Sequence, residues 1–344
     1  MGTLSAVHTF ETREAMADAA AQVAQLVEGP YAAAAESRPD HVRLRREGEG
    51  PEPDEIHFIA YTEARGGMEG LCDAMGRDEI DVSISIPPVM ATAIPNVDVR
   101  VEAGRSTALL FINADRPRLT SPEVRQGVAS ALDRRDICVA AFGRDDLLAT
   151  TLLPPSMWTD APRPPSPPRG NAGPLRGQRL SLVIPWAPRS YLASHWAAAE
   201  SVAEQLAMLG VLVDIEPTDA PVNALERAQA GDYDLFLAGW SADNDEVSDF
   251  YRAILHSRSI PGHGHEVAVS CNLGRLRSDA VDQQLAGEGV RDDAAKEALE
   301  RAAAESATVA PLCHGPTVVV TGPRVVAIGL LPGNTLDLMG VTLA

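Results

Sequence analysis

The stretch Asp232-Tyr-Asp-Leu-Phe-Leu-Ala-Gly-Trp-Ser-Ala-Asp243 sets an apolar run, Leu235-Phe-Leu237, directly before a Gly-Trp pair and a carboxylate. Consecutive large apolar residues suit a strand buried on both faces. In open α/β sheets, ligands sit beyond the carboxyl ends of such strands. Gly239, Trp240, Asp243 and Asn244 fall at that edge. An aromatic face beside a carboxylate suits a solute with an apolar body and a cationic head. Each residue also has a plain structural reading. Asp243 can cap a turn, Trp240 can be a core aromatic, and the run Asn244-Asp-Glu246 can simply be solvated.

Upstream, Leu180-Ser-Leu-Val-Ile184, a helix carrying Trp196, Ala199, Val202, Leu206 and Leu209 with Gly210 as its stop, Val211–Ile215, and a helix from Val222 to Ala230 lead into the strand Tyr233–Ala238. Right-handed crossovers make these three strands parallel, with helices on both faces. Ser121 with Pro122 predicts a helix start, and Asp133 a second N-cap, with Gly143 ending that second helix. Asp292–Ser306 predicts another helix. His57–Tyr61, Asp81–Ile86 and Ala108–Ile112 predict strands, as do Val309–His314 and Val318–Val320 near the end. Met68–Met75 predicts a short helix, and 12–27 a longer one with Ala15, Met16, Ala19, Ala20, Val23 and Leu26 on one face. Arg38–Pro53 reads as an exposed polar turn region, and Pro154–Pro168 as an extended surface loop.

Several segments carry a family resemblance. The "gdyD…l.GW.aD" pattern at 231–243, Phe111-Ile-Asn-Ala-Asp115 with Ser121–Arg134 ("fN…pf.d.rVRqAia.AiDR"), Gly29-Pro-Tyr31 ("GtGPY"), Arg77–Asp81 ("GeiD"), Ala203–Val213 ("iqeqLkkiGIkv") and Ala310–Gly315 ("iPlyhg") occur in order. Together they resemble the dipeptide, oligopeptide and nickel class of ABC-transporter substrate-binding proteins. The resemblance implies an α/β, two-lobed periplasmic-binding-protein-like fold with mostly parallel mixed sheets. Lobe I would comprise 1–112 plus 307–344, and lobe II 113–306, with ligand held between them. It implies that Asp243 holds a peptide's α-ammonium. Lobe I looks incomplete, because only about thirty residues precede Tyr31 where the family has a long segment. The family's "AkalLaeaGy" helix is replaced by the Pro-rich loop, and Leu237 stands where oligopeptide binders often carry Arg.

Bulk properties narrow the function. The net charge of −19 disfavours nucleic acid and anionic membrane surfaces. The chain is Ala- and Arg-rich with a single lysine, Lys296, as in products of GC-rich genomes. The first residues show no secretory signal. The expectation is therefore cytoplasmic for the chain as it stands, and extracytoplasmic if a signal was trimmed. Cys72, Cys138, Cys271 and Cys313 show no CxxC pattern and read as reduced thiols.

His256, His263, His265, Glu266 and Cys271 match no standard zinc spacing, so no metal and no cofactor is expected. Cys313 and His314 are neighbours on a strand and point to opposite faces, which argues against a nucleophile–base pair. The expected function is binding of a small peptide or amine-containing solute, with an ABC permease as partner. The alternatives are an intracellular scaffold recruited as a biosynthetic enzyme and the sensing domain of a transcriptional regulator. A shortened lobe I would leave an open sheet face, and hence a homodimer or stable partner.

Overall fold

The computed structural model describes residues 3–8, 31–34, 41–49, 53–61, 65–165, 168–185, 189, 191–219, 221–242, 246–262, 271–286, 290, 292–331 and 335–344. The helix expected over 12–27 lies outside them. In chain order the described strands are β1 (Thr3–His8), β2 (Tyr31–Ala33), β3 (His41–Arg46), β4 (Glu55–Ala60), β5 (Val82–Ser83), β6 (Asp98–Ile112), β7 (Arg179–Ile184), β8 (Leu212–Pro217), β9 (Leu235–Ser241), β10 (Val309–Thr321), β11 (Val325–Leu331) and β12 (Thr335–Leu343). The described α-helices are α1 (Gly67–Gly76), α2 (Pro88–Ala91), α3 (Pro122–Ala131), α4 (Arg134–Phe142), α5 (His195–Met208), α6 (Pro221–Ala230), α7 (Val247–Leu255), α8 (Asp279–Ala286) and α9 (Asp293–Ser306).

Two compact units result, 1–102 with 317–344, and 103–316. The division falls inside β6 and β10. The sequence-based boundaries, 112/113 and 306/307, lie at the ends of these same two strands.

In the first unit the strand order is β2-β3-β4-β1-β5 and then the end of β10. β1 is parallel to both β4 and β5. Two expectations are corrected here. His41–Arg46 is a strand and not an exposed turn region. Its charges pair across the ladder, with Arg45 opposite and ion-paired to Glu55 at 2.9 Å, while Leu44 is fully buried.

The sheet expected to lack early neighbours has one in Thr3–His8, which lies between β4 and β5. One face is covered by the β11–β12 hairpin, where Ile328, Leu336, Leu338 and Val341 pack on Leu4, Ile56 and Phe58. The other face packs against α1 through Leu71, Ala74 and Met75. Where an open sheet face was expected, both faces carry packed elements among the described residues. Of the strand expected over Asp81–Ile86 only Val82–Ser83 is ladder-paired, and Pro87 caps the start of α2 just after it.

In the second unit the order is β10-β6-β9-β7-β8. β7 runs parallel to β8 and β9, as the crossover argument required. β9 and β6 are antiparallel over Ser106–Ile112. Leu180, Leu182, Leu235 and Leu237 face α3, α4 and α5, while Val183, Phe236 and Ala238 face α6, α7 and α9.

Asp133 caps α4 by accepting from the Arg135 and Asp136 amides, and Gly143 closes it at φ 70°. Ser121 stands at the N-cap of α3, but its hydroxyl makes no bond to the helix. Trp196 does not share the stripe of α5. It is 45% exposed while Ala198, Ala199, Val202 and Leu206 are buried, since a residue two before Ala198 lies on the far side of a helix. The two closing strands are one strand, β10.

The Pro-rich segment is not a surface loop throughout. The stretch Leu152–Asp160, which takes in its first residues, is clamped by the inward face of α9. Glu300 accepts from the Leu152 and Leu153 amides at 2.8 and 3.0 Å, and from the Tyr251 hydroxyl at 2.8 Å. Lys296 donates to Met157 O at 3.0 Å and to Asp293 at 2.8 Å, and its ammonium lies 5.6 Å from the Trp158 ring. Asp293 accepts from the Thr159 and Asp160 amides, which with Lys296 holds its carboxyl down at about 2.

Further along, residues 170–172 press backbone-to-backbone on α3. A Cβ on Gly127 would stand 2.2 Å from Ala172 N, and one on Gly170 would stand 2.1 Å from Gly127 N.

Candidate functional site

At the carboxyl end of β9, alternate residues face opposite ways. Trp240 follows Phe236 and Ala238 on one face. It is half-buried and packs against their core cluster, so part of the indole is core and part is open. Gly239 faces the other way, where the Tyr191 ring lies against it. A Cβ there would be 2.3 Å from Tyr191 Cδ2 and 2.7 Å from Thr107 O. Gly239 is therefore the clearance for Tyr191. Asp243 and Asn244 lie outside the described residues, so the structure brings Gly239 and Trp240 together and leaves the other two expected ligands without a described position.

Many of the polar residues in the motifs that carry the resemblance are tethers. Arg125, 5% exposed, donates to Ser306 O, Leu119 O and Thr120 O at 2.7–2.9 Å. Burial pushes its pKa down. Arg134 bonds Ala149 O and Pro311 O. Asn113 donates to Gly231 O and Tyr233 O. Asp234 accepts from Arg116 and from the Ser181 amide. Gln205 donates to Asp133 O at 3.3 Å. Tyr31 donates to Pro53 O at 2.8 Å, and Asp81 takes both arms of Arg324 at 2.7–2.9 Å. Asn113, Asp232 and Asp234 gather at the amino end of β9.

The histidine-rich segment gives little. His256 accepts the Arg258 amide at 3.0 Å and lies 3.6 Å from Asp282, closing a turn. His263, His265 and Glu266 are outside the described residues, and Cys271 packs half-buried on the α7 cluster. Among the described residues no group of three metal-binding side chains converges.

Cys313 joins the α3–α5 face of the sheet, while His314 bonds Thr107 on the Trp240 face, so the two do not act on each other. Burial lowers the His314 pKa to about 4. Thr107 and Tyr191 were not singled out from the sequence. In the sequence Thr107 is only a polar residue at the head of the apolar run Ala108–Ile112, and the structure buries it completely.

The chain belongs to a family described as bacterial extracellular solute-binding proteins, family 5, whose middle region matches residues 17–262. It is similar to di/tripeptide-binding protein 1 of Pseudomonas aeruginosa, at 22% identity over 83% of this chain and 55% of that one. It is also similar to the peptide transport periplasmic protein SapA of Salmonella typhimurium, at 25% identity over 60% of this chain and 39% of that one. The chain thus spans about half the length of these curated relatives. Among solved structures it resembles the dipeptide-binding protein of Pseudoalteromonas sp. SM9913 in complex with Met-Leu, with a TM-score of 0.73, 18% identity, and coverage of 97% of this chain and 69% of that one. The fold is therefore the mixed α/β, two-lobed solute-binding class. Among the described residues no helix is long and apolar enough to cross a membrane.

Proposed function

We propose that this chain is the substrate-binding component of an ABC importer and takes a small peptide or amine-containing solute at the carboxyl end of β9. The observation that carries this reading is that β9 of a family-5 solute-binding protein carries Gly239 and a half-open Trp240 among its last residues, just before its end at Ser241. Trp240 supplies an apolar wall. Asp243 is the acceptor for the solute's ammonium, with Asn244 as a neighbouring polar group and Gly239 as the clearance that seats Tyr191. The names of the di/tripeptide-binding relative and the Met-Leu complex support a peptide. The family description and the periplasmic SapA relative support work outside the cytoplasmic membrane beside a permease. A net charge of −19 favours a cationic solute.

Calorimetry with Met-Leu and a panel of di- and tripeptides tests the reading. A charge-assisted bond to an ammonium contributes about 1.5–3 kcal/mol, so Asp243→Ala weakens binding roughly ten- to a hundredfold. Equal affinities for variant and parent remove Asp243 from the site. No heat of binding from any peptide in the panel removes the function.

A further inference from the structure

His314 sits on β10 with 9% of its surface exposed. Its Nδ1 is 3.0 Å from Thr107 Oγ1, and that hydroxyl is 2.8 Å from Leu152 O. A carbonyl oxygen only accepts, so the single hydroxyl proton of Thr107 goes to Leu152. The hydroxyl must then accept from His314, which places the imidazole proton on Nδ1. Burial holds the ring neutral, with its pKa lowered to about 4. Nε2 therefore carries a bare lone pair. It is buried and has no hydrogen-bond partner among the described residues.

A buried acceptor without a donor is costly, and native folds rarely leave one. Its location gives the vacancy meaning. Thr107 is directly opposite Trp240 in the β6–β9 ladder, so the two side chains share a face. His314, Thr107 and Trp240 thus form a row across β10, β6 and β9 on one side of the sheet.

We propose that His314 Nε2 is the hydrogen-bond acceptor for an N–H group of the bound solute, an amide or ammonium, on the Trp240 face. This rests on the peptide-binding reading given above. The tautomer makes the site selective. It welcomes a donor and repels the oxygen of a carboxylate or carbonyl, so this face takes the N–H side of a peptide.

Nitrogen NMR of protein labelled with 15N-histidine tests the assignment on the full chain, using Met-Leu as probe and calorimetry in parallel. In the free protein, the His314 resonances should show a protonated Nδ1 and an unprotonated Nε2. On adding Met-Leu, the Nε2 resonance should shift as a lone pair does on accepting a hydrogen bond. His314→Asn keeps an amide donor where Nδ1 stands, so the bond to Thr107 survives while the Nε2 acceptor is lost. Losing one hydrogen bond lowers Met-Leu affinity about three- to tenfold. His314→Gln, whose amide reaches the Nε2 position, should bind more tightly than His314→Asn.

A free protein with the proton on Nε2 overturns the proposal. So does calorimetric binding of Met-Leu that leaves the Nε2 resonance unmoved, which would mean that an enclosed water serves the lone pair. Either result leaves the peptide-binding reading standing. Absence of binding by the parent protein to every peptide in the panel overturns both.

Discussion

Replacing Glu300 by Ala should lower the stability of the 103–316 unit by about 3–5 kcal/mol. The loss sums a small cavity with three orphaned donors, the Leu152 and Leu153 amides and the Tyr251 hydroxyl. The same carboxyl gives the unit a pH dependence of definite sign. Burial pushes the Glu300 pKa up to about 7, against the pull of its three donors. The folded state therefore holds this proton more tightly than the unfolded chain does. The stabilisation is complete below the usual glutamate range, near pH 4.5, and is lost as pH rises through about 7. A shift of that size corresponds to at most about 3 kcal/mol. The groups near the carboxyl are Tyr251 from α7, the backbone of Leu152 and Leu153, and Lys296 and Asp293 earlier on α9. Urea unfolding at pH 5, 6, 7 and 8 measures the slope, and Glu300→Gln should flatten it. A parent protein whose stability rises steadily from pH 5 to 8, with Glu300→Gln showing the same rise, contradicts the assignment.

Gly127→Ala should destabilise the protein, which is the reverse of what helix propensity dictates. In an open helix interior the change gains about 0.5–1 kcal/mol. Here the new Cβ would meet Ala172 N at 2.2 Å and Asn171 C at 2.5 Å. Both are backbone atoms and cannot rotate away. The Asn171 amide is also bonded to Glu123 O on α3 at 3.0 Å, so displacing the segment breaks that contact too. Overpacking of this kind costs about 1–3 kcal/mol. The midpoint of chemical unfolding reads the sign directly, and a more stable Gly127→Ala would show that 170–172 does not rest on α3. The family pattern carries Ala at this place, so the glycine and the segment 170–172 that presses on it go together.

The second unit was largely legible in the sequence because its signals are local. Asp133 and Gly143 mark their helix by capping chemistry. The β7, β8 and β9 strands are apolar runs separated by helices of ordinary length, which leaves one handedness of crossover. The first unit was less legible because its strands are defined by distant partners. Nothing in Thr-Leu-Ser-Ala-Val-His marks a central strand until Glu55–Ala60 and Val82–Ser83 are set on either side of it. His41–Arg46 looked like a solvated turn because charge density hid the alternation that buries Leu44.

Similarly, Met157 and Trp158 were placed in a loop by their proline neighbours, although α9 draws both into the core. For the candidate site, the motif located the edge of β9 and named Trp240. It did not reveal Thr107, Tyr191 or the tautomer of His314. Those depend on which strands lie beside β9, and no spacing along the chain encodes that.

Lys296 has one more consequence. Its side chain is 5% exposed, with the ammonium held by Asp293 and Met157 O, and the chain contains no other lysine. The ε-amine is thus a reporter built into the clamp on residues 152–160. An amine-reactive reagent cannot modify it while α9 is seated, and modifies it at the rate at which that helix lifts. Mass spectrometry of the labelled peptide over time would read local opening at one position, without an engineered probe.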